Sequence, residues 1–494
     1  MRDWTASDAR LDGSRCAIGR PQIRDRTASD ARLDDPECTN GLLHTRERTT
    51  CSNCMRPRRP TQQTVILFPH DIFMNSPTVI QRHAAQPVLD AMTDTRIIAL
   101  VGPRQSGKTT LSQLIADQHQ LTYLTLDNSQ TRRTALDDPT GLIRSSGDAV
   151  IDEIQRAPEL ILTLKQLVDH DNRPGQFLIT GSVDLFRGTV SPDSLAGRVE
   201  AIELLPLSQA EMENLPPSDF VERAFRNDFI SWKDTGPTSD LLKRIVTGGY
   251  PEAVARSSPN RRQKWLKAYA HALSTRDIQD LSSVDKTDEL SSLLEHAALA
   301  SGQLLNYSSI ASALGVNRST VERWLVLLEQ MFILRRVRAW HRNESRRLIK
   351  TPKLHFLDSG LLCALRNLSV EDIRTDRNRL GDVLESFVYS ELLKMISLMS
   401  GTIRISHYRD KAQNEIDFVL EQAGKLVGIE VKSTASLKPA HFNGLRQLRE
   451  ATGSAFVSGI ILHDGDRIQR FDENLYGMPM DQLWSPGTET PDSA

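Results

Sequence analysis

The chain is poor in the features that mark several specialised classes of protein. It has five cysteines in 494 residues, which are too few for a disulfide framework and suit a reducing cytoplasm. Its net charge of −2 excludes a chain-wide electrostatic attraction to nucleic acid, so any such contact needs a local patch. It has no uninterrupted run of about 18 apolar residues. Its first residues are polar and mixed in charge, so the sequence predicts neither a membrane span nor a secretory signal.

The composition is that of a globular protein, except in the N-terminal segment 1–75. Hydrophobic residues make up 39% and charged residues 25%, and the length predicts two or three domains. Residues 1–75 lack apolar periodicity, so we expect a disordered tail, or a tail that precedes a true translation start near Met74. Cys51 and Cys54 in this tail have zinc-knuckle spacing, but two further ligands at suitable spacing are missing.

Beyond this tail, the hydrophobic pattern divides the chain into successive regions. Short apolar strands alternate with helical segments at first, which predicts an α/β fold with a parallel sheet covered on both faces. A helical stretch, a helix-turn-helix and a second α/β region follow. The predicted regions are a P-loop NTPase domain at 76–215, a helical lid or linker at 216–300, a winged-helix-like part at 301–350, a nuclease-like module at 351–475 and a disordered tail at 476–494.

The segment Gly102–Thr109 reads G-P-R-Q-S-G-K-T, a complete P-loop with a strand before it and a helix after it. Its glycines let backbone amides point at phosphate oxygens, and the helix N-terminus adds a positive dipole end. Lys108 would neutralise the β- and γ-phosphates, and the Thr109 hydroxyl would bind Mg²⁺. The predicted ATP-contacting residues are Gly102, Arg104, Gln105, Ser106, Gly107, Lys108, Thr109, Thr110 and Ser182.

The acidic partner of this loop is the strand end Asp148–Glu153. Asp152 would bind the metal directly or through water, and Glu153 could polarise the attacking water. An ordinary acidic strand end is the alternative. Ser182 ends a later strand, where a polar group could sense the γ-phosphate. Arg198 could act as an arginine finger, within the chain or across a contact in a homo-oligomer, or it could form a surface ion pair.

The order of these segments resembles a family of prokaryotic AAA+-like ATPases. The resemblance rests on Gly-Pro-Arg-Gln before the P-loop serine, Ile-Asp-Glu-Ile-Gln, Leu-Ile-Thr-Gly-Ser and Leu-Ala-Gly-Arg, and it covers about residues 80–475. In that family, a C-terminal module of uncharacterised function follows the ATPase. The resemblance implies binding of ATP and slow hydrolysis, but no substrate for the C-terminal module.

The segment 308–325 has the form of a helix-turn-helix, with Gly315 at the turn. Arg318 and Arg323 would lie on the outward face of its second helix, where a recognition helix contacts DNA. Six arginines follow in the place of a wing and would contact phosphates: Arg335, Arg336, Arg338, Arg342, Arg346 and Arg347. The alternative is a module that serves internal packing or protein contacts.

Four charged residues near the end form an ordered set: Glu385 on a helix, Asp417 on a strand, and Glu430 and Lys432 on the next strand. Glu385, Asp417 and Glu430 could hold a metal ion, while Lys432 orients or deprotonates water against a phosphodiester. The set resembles the PD-(D/E)xK nuclease core. A salt-bridged strand pair in a module that binds a partner is the alternative.

These patterns support two hypotheses about function. The first is an ATP- and Mg²⁺-dependent switch that positions a winged-helix part and a nuclease-like module on DNA. The second is an ATP-binding scaffold that binds protein partners and whose nuclease-like domain is vestigial. DNA-stimulated ATP turnover would separate them.

Overall fold

A computed structural model describes residues 80–183, 195, 197–229, 240–277, 287–343, 347, 350–410 and 414–485. The predicted tail at 1–75 with Cys51 and Cys54, the residue Arg346 and the end 486–494 lie outside the described residues.

The first region is built on a parallel five-stranded sheet of order β2-β3-β4-β1-β5. Its strands are β1 (Ile97–Val101), β2 (Thr122–Thr125), β3 (Ala149–Asp152), β4 (Phe177–Gly181) and β5 (Val199–Glu203). The helices are α1 (Ala85–Ala91), α2 (Lys108–His119), α3 (Ser129–Asp137), α4 (Pro139–Ser146), α5 (Leu160–His170) and α6 (Gln209–Met212). Because the strands are parallel, the loops after β1, β3 and β4 meet at one edge of the sheet.

The strands β1, β3 and β4 are buried along their whole length, as expected for strands with helices on both faces. The predicted α/β fold class, with a parallel sheet first and a second sheet later, is confirmed. The last strand of this sheet, β5, spans Val199–Glu203. It is an edge strand with exposed Glu200 and Ala201, so it lacks the continuous apolar run that marked the others.

The next region is helical, as the pattern at 216–300 predicted. Its helices are α7 (Phe220–Arg226), α8 (Leu241–Thr247), α9 (Pro251–Val254), α10 (Pro259–Ala272) and α11 (Thr287–Leu299). In α10, Tyr269 stacks on Trp265 at 5.3 Å between ring centroids. Tyr269 also packs against Tyr250, which immediately precedes α9. This aromatic group fixes α9 and α10 against each other.

Two helices and a two-stranded ribbon follow, and with α11 we call residues 287–356 the helix–ribbon region. The elements are α12 (Tyr307–Leu314), α13 (Arg318–Gln330), β6 (Leu334–Val337) and β7 (Lys353–Phe356). Gly315 makes the turn with a φ of 66°, as predicted. The predicted boundary at 350 is wrong, because β7 pairs antiparallel with β6 and closes the ribbon only at Phe356.

The last region is a mixed six-stranded sheet of order β12-β13-β11-β10-β9-β8. Its strands are β8 (Arg404–Arg409), β9 (Glu415–Gln422), β10 (Lys425–Lys432), β11 (Phe456–His463), β12 (Gln469–Asp472) and β13 (Leu475–Pro479). The helices from this part of the chain are α14 (Ser359–Leu365), α15 (Val370–Thr375), α16 (Gly381–Ile396) and α17 (Asn443–Thr452). None of the helices described in the chain is long and apolar enough to cross a bilayer.

The predicted end of this module at residue 475 is wrong. The strand β13 pairs in parallel with β11, and a short 3₁₀ helix, Met480–Leu483, follows it. Tyr476, Met478 and Trp484 are buried. Their apolar side chains complete the core of the second sheet, so the ordered chain continues about ten residues beyond the predicted boundary.

Candidate functional sites

The loop after β1 has the backbone of a phosphate-binding turn. Gly107 lies in the left-handed region with a φ of 99°, and α2 begins at the next residue. A side chain at Gly102 would place its Cβ 2.2 Å from the carbonyl oxygen of Leu204, so only glycine fits there. The first amides of α2 therefore lie at the carboxyl edge of the sheet, where they can donate to an anion.

Lys108 is buried at the start of α2. Its Nζ donates to the carbonyl oxygens of Gly102 at 3.0 Å and Pro103 at 2.8 Å. Burial lowers the pKa of Lys108 to about 8, although the charges of Glu153 and Asp152 oppose this shift. Among the described residues, the ammonium contacts these two carbonyl oxygens and no carboxylate, so an anionic ligand at this loop would stabilise it.

Asp152 ends β3 and is buried beside the loop. Thr109 Oγ1 lies 3.3 Å from both carboxylate oxygens of Asp152, and Thr180 Oγ1 donates to Oδ1 at 2.6 Å. The predicted pair of Mg²⁺ ligands is thus brought together. A hydroxyl and a carboxylate are hard oxygen donors, the kind of ligand that Mg²⁺ prefers.

Glu153 is the next residue and has a left-handed φ of 60°. This turn directs it away from the strand, and its amide donates to Thr180 Oγ1 at 3.0 Å. Its carboxylate accepts hydrogen bonds from Ser182 Oγ at 2.9 Å and from Gln155 Nε2. Ser182 therefore contacts the candidate catalytic carboxylate of Glu153, a contact that the sequence pattern did not predict.

The other predicted ATP-contacting residues of the loop differ in their exposure to solvent. Ser106 Oγ is fully buried and has no hydrogen-bond partner among the described residues. It can therefore donate a hydrogen bond to a ligand or accept one from it. Gln105 and Thr110 are exposed, and Arg104 is half-buried. The carbonyl oxygen of Arg104 accepts a hydrogen bond from Tyr269 at 2.9 Å.

Arg82 is a residue that sequence reasoning missed. Its guanidinium donates to the carbonyl oxygens of Ser106 and Leu205 and to Glu211 Oε1, so it ties the loop to the segment after β5. Glu211 is buried. Burial alone would raise its pKa, but the charge of Arg82 outweighs this effect and the pKa is lowered. No local pattern distinguishes Arg82 in the sequence, because its partners lie 24 to 129 residues away.

The prediction that Arg198 acts as an arginine finger within its own chain is wrong. Arg198 directly precedes β5, and its carbonyl oxygen accepts from the amide of Ile97, the first residue of β1. It therefore lies at the amino edge of the sheet, a strand length from the loop. There it forms an ion pair with Asp169, Nε to Oδ1 at 2.5 Å, which is the predicted alternative.

The second candidate site lies in the last sheet. Asp417 is on β9 and Glu430 and Lys432 are on β10, and Asp417 Oδ2 accepts from the amide of Val431 at 2.9 Å. Lys432 Nζ lies 2.5 Å from Glu430 Oε1. The hairpin between β9 and β10 turns at Gly424 and brings the three charged residues together.

Lys353 joins this group from the ribbon. Its Nζ lies 2.6 Å from Glu415 Oε1, 3.2 Å from Glu385 Oε2 and 3.3 Å from Asp417 Oδ1. Asp417 and Glu385 raise the pKa of Lys353 against the opposing effect of burial. We call the acidic side chains here the carboxylate cluster: Glu385, Glu415, Asp417 and Glu430. Sequence reasoning missed Lys353 because it lies 32 residues before the nearest member.

The predicted three-carboxylate metal site is not formed. Among the described residues, no three acidic, histidine or cysteine side chains are arranged to hold a metal ion. The physical reason is that the ammonium of Lys353 lies between Glu385 and Asp417. Burial, followed by the charge of Asp417, raises the pKa of Glu430 to about 8 and that of Glu385 well above its usual range.

Three of the six predicted wing arginines do not form a free basic surface. Arg335 pairs with Glu203 at 2.7 Å, Arg336 with Glu329 at 2.6 Å and Arg347 with Glu421 at 2.6 Å. All three are largely buried in these pairs. The exposed arginines of the helix–ribbon region among those predicted are Arg318, Arg323, Arg338 and Arg342.

Comparison with known families decides the nature of the first site. Residues 94–213 match the family described as "AAA domain". The chain contains an AAA-type P-loop ATPase domain. Residues 238–372 and 380–483 match two families described as domains of unknown function, DUF8612 and DUF4143. The helical stretch and the ribbon thus fall within one family and the second sheet within another.

Relatives that match most of the chain are described as uncharacterized proteins. Proteins of Mycobacterium bovis and Mycobacterium tuberculosis are each 27% identical over 412 residues, 83% of this chain and 85% of theirs. A protein of Methanocaldococcus jannaschii is 22% identical over 344 residues, 66% of this chain and 72% of its own.

Solved structures show only distant likeness to this chain. The Walker-type ATPase paby2304 of Pyrococcus abyssi has a TM-score of 0.35 and 14% identity, over 58% of this chain and 96% of that one. The Thermotoga maritima RuvB Holliday junction branch migration motor has a TM-score of 0.25 and 19% identity, over 52% of this chain and 90% of that one.

The AAA domain is in direct contact with the regions that follow it. Lys394 of α16 donates to the carbonyl oxygen of Leu207 at 3.0 Å, and Glu391 accepts from the amide of Gln209 at 2.9 Å. Glu203, in register with the last residue of β1, pairs with Arg335 of the ribbon. These contacts all begin within the segment 203–209, which follows β5 at the carboxyl edge of the sheet.

Proposed function

We propose that the chain binds ATP with Mg²⁺, hydrolyses it slowly and uses the change of nucleotide to reposition the helix–ribbon region and the C-terminal module. The observation that carries the proposal is the gathering of three groups at one sheet edge. They are the buried Lys108, the oxygen pair of Thr109 and Asp152, and the oriented carboxylate of Glu153.

The binding step follows from the charges at the loop. The ammonium of Lys108 and the first amides of α2 attract the phosphates, and the unpartnered hydroxyl of Ser106 adds a polar contact. Thr109 and Asp152 would hold Mg²⁺, which when bound neutralises phosphate charge. Arg82 donates to the carbonyl oxygens of Ser106 and Leu205, so it connects the loop to the segment after β5.

The hydrolytic step depends on Glu153. Its carboxylate is held by Ser182 and Gln155, and its backbone by Thr180. A carboxylate at this edge can accept a proton from water as the water attacks the γ-phosphorus. Because two side chains fix its orientation in the free protein, any change in those hydrogen bonds changes where the carboxylate points.

The switch follows from contacts of the loop with other regions. Tyr269 of α10 holds the carbonyl oxygen of Arg104, and α16 holds the segment after β5 through Lys394 and Glu391. Movement of the loop on binding phosphates is therefore transmitted to the helical region and to the second sheet. A scaffold that only binds nucleotide would have the same contacts, but no turnover.

Turnover and binding can be separated with two variants of the full chain. We expect wild type to release phosphate from ATP with Mg²⁺. We expect Glu153→Gln to lose about 100-fold or more in turnover while still binding ATP, because it keeps the size of the side chain and removes the base. Glu159→Gln, an exposed acid nearby, is the matched control. If wild type shows no affinity for adenine nucleotides with Mg²⁺, the proposal fails.

A second function is favoured by the exposed arginines, which we propose contact DNA phosphates. Arg318 and Arg323 lie on α13, the second helix of a helix-turn-helix, and Arg338 and Arg342 follow β6 as in a winged-helix fold. We expect the double variant Arg318→Ala/Arg323→Ala to bind duplex DNA more weakly, with a shallower salt dependence. Arg261→Ala, an exposed arginine on α10, should bind as wild type does. Equal binding by all three proteins would refute this proposal.

For the second sheet, the contacts favour a partner-binding module, because Glu385, Asp417, Glu430 and Lys432 form ion pairs rather than a metal site. These four residues nevertheless lie in one group on β9, β10 and α16, so cleavage of phosphodiesters is tested directly. Strand cleavage should be followed in the same assays as phosphate release, with Lys432→Ala as the test variant. If wild type cuts no form of DNA with any divalent metal, the module is a binding domain and the scaffold hypothesis is favoured.

A further inference from the structure

The phosphate loop contains a second cation besides Lys108. Arg104 is the third residue of the segment Gly102–Thr109 and is half-buried. Lys108 Nζ donates to the carbonyl oxygens of the two residues just before Arg104, Gly102 and Pro103. Burial is the main cause of the lowered pKa of Lys108, and the positive charge of Arg104 lowers it further. The two cations therefore lie close together at one end of the loop.

This end of the loop also faces the hydrolytic groups. The charges of Glu153 and Asp152 act on the pKa of Lys108 in the opposite direction to the charge of Arg104. The carboxylate oxygens of Asp152 lie 3.3 Å from Thr109 Oγ1. Lys108 is the lysine expected at the β- and γ-phosphates. A cation beside it is placed for the outer oxygens of the γ-phosphate, over which the charge of the transferred group is spread.

A tyrosine from the helical region fixes the backbone at Arg104. The hydroxyl of Tyr269 donates to the carbonyl oxygen of Arg104 at 2.9 Å. The ring of Tyr269 stacks on Trp265 at 5.3 Å between centroids and packs against Tyr250 at 4.8 Å. A group that positions another must itself be held by packing, and these two contacts meet that requirement. The hydrogen bond therefore restricts the direction in which the side chain of Arg104 leaves the backbone.

Three other arginines of the AAA domain are less suited to contact the γ-phosphate. The guanidinium of Arg82 donates through all three of its nitrogens, to two carbonyl oxygens and one carboxylate. Arg156 pairs at 2.6 Å with Asp127, which follows the edge strand β2. Arg198 lies at the amino edge of the sheet. Arg104 differs from all three because it belongs to the loop itself.

We propose that Arg104 donates hydrogen bonds to the γ-phosphate and stabilises its charge during hydrolysis, and that Tyr269 positions Arg104 through the loop backbone. In this step, the oxygen of water bonds to the γ-phosphorus and the bond to the β,γ-bridging oxygen breaks. Glu153 takes one proton of the water, the other stays on the phosphate, and ADP leaves. Arg104 stays protonated throughout. The inference rests on the proposed ATPase function and gives Arg104 the role first expected of Arg198.

The contact with the γ-phosphate is tested by Arg104→Ala in the full chain, with Arg133→Ala, an arginine with an 85% exposed side chain, as the matched control. We expect turnover of ATP to fall about 1000-fold in Arg104→Ala, the scale of an arginine that stabilises phosphoryl transfer. The ratio of the affinities for ATP and ADP, measured with Mg²⁺ by calorimetric titration, should fall about tenfold, because ADP lacks the γ-phosphate. Arg104→Lys should recover only part of the turnover, since an ammonium lacks the fork of donors. Wild-type turnover or a wild-type affinity ratio in Arg104→Ala overturns the proposal.

The positioning role is tested by Tyr269→Phe. We expect its turnover to fall about three- to tenfold with little change in the affinity for ATP, because one hydrogen bond to the loop is lost. Tyr250→Phe is the matched control, since it removes a hydroxyl 3.4 Å from that of Tyr269 in the same aromatic group. In the Arg104→Ala background, Tyr269→Phe should cause no further loss, because it acts through Arg104. A further loss of the same size, or an equal loss in Tyr250→Phe, overturns the positioning role.

A failure of this inference differs from a failure of the proposed ATPase. If wild type binds ATP but does not turn it over, the proposed hydrolysis fails and the catalytic role of Arg104 fails with it. The affinity ratio then still decides whether Arg104 contacts the γ-phosphate. If wild type turns over ATP and Arg104→Ala does so equally, the proposed function stands and only the role of Arg104 is refuted.

Discussion

Two buried lysines show how differently the two sites of this chain are built. Lys108 is 4% exposed and Lys353 is 3% exposed. The nearest acceptors of Lys108 are backbone carbonyls, and burial lowers its pKa to about 8. Lys353 lies among three carboxylates, which raise its pKa despite burial. The two lysines are equally buried, but the fold disfavours the charged form of Lys108 and favours that of Lys353.

This difference indicates what each lysine can do. A buried cation that lacks an anion is stabilised by an anionic ligand, as a phosphate-binding lysine must be. A buried cation with three carboxylates contributes to folding and has to be displaced before the carboxylates bind anything else. The predictions below test this contrast, starting with the largest effect.

The largest expected effect is on the stability of the Lys353→Met protein. Removing the ammonium leaves buried carboxylates without their partner, which costs about 3–5 kcal/mol. We expect a lower midpoint of urea unfolding, measured for the full chain by tryptophan fluorescence. The Lys432→Met protein should lose less, since the side chain of Lys432 is 35% exposed and its one ion pair among the described residues is with Glu430. Equal losses would contradict the contrast between the two groups.

The second prediction concerns Lys108→Met. We expect affinity for ATP with Mg²⁺ to fall about 10- to 100-fold, because a charged hydrogen bond to phosphate is lost. The urea midpoint should not fall. The lowered pKa means that the fold penalises the protonated lysine at every pH below about 8, and methionine removes that penalty. Unfolding at lower urea than wild type, with ATP affinity unchanged, would reverse the roles assigned to the two lysines.

A smaller effect is expected for Ser182→Ala. This change removes one of two side-chain hydrogen bonds that orient Glu153, a loss of about 1 kcal/mol. We expect turnover of ATP to fall about three- to tenfold and the affinity for ATP to change little. Ser145→Ala, an exposed serine on α4, serves as the control. An unchanged turnover number would show that Gln155 alone positions the carboxylate.

The two sites also differ in how far the sequence predicts them. The nucleotide site comes from contiguous motifs at strand ends, and its parallel strands must bring those ends to one edge. Lys108, Thr109, Asp152 and Glu153 could therefore be placed before the structure was known. Arg82 could not, because its role depends on partners brought near by folding.

The carboxylate cluster is assembled from a ribbon strand, a helix and a hairpin. The hairpin was predictable, since alternation places Glu430 and Lys432 on one face of β10. The insertion of Lys353 was not, because no local periodicity says which strand packs against a sheet. The prediction of a basic wing was incomplete for the same reason. In the sequence, Arg335 and Arg347 belong to a run of arginines, but in the folded chain they pair with Glu203 and Glu421.

The smallest effect is a dependence of nucleotide affinity on pH. Bound phosphates should raise the pKa of Lys108 from about 8, so ATP binding above that pH requires uptake of a proton. The sign follows: affinity is full well below pH 8 and falls above it. We expect a loss of about threefold between pH 7.5 and 8.5, measured by calorimetric titration in buffers of different ionisation enthalpy. In Lys108→Met the loss should vanish. Should wild type bind equally at both pH values without proton uptake, Lys108 would already have an anionic partner in the free protein, and its contrast with Lys353 would disappear.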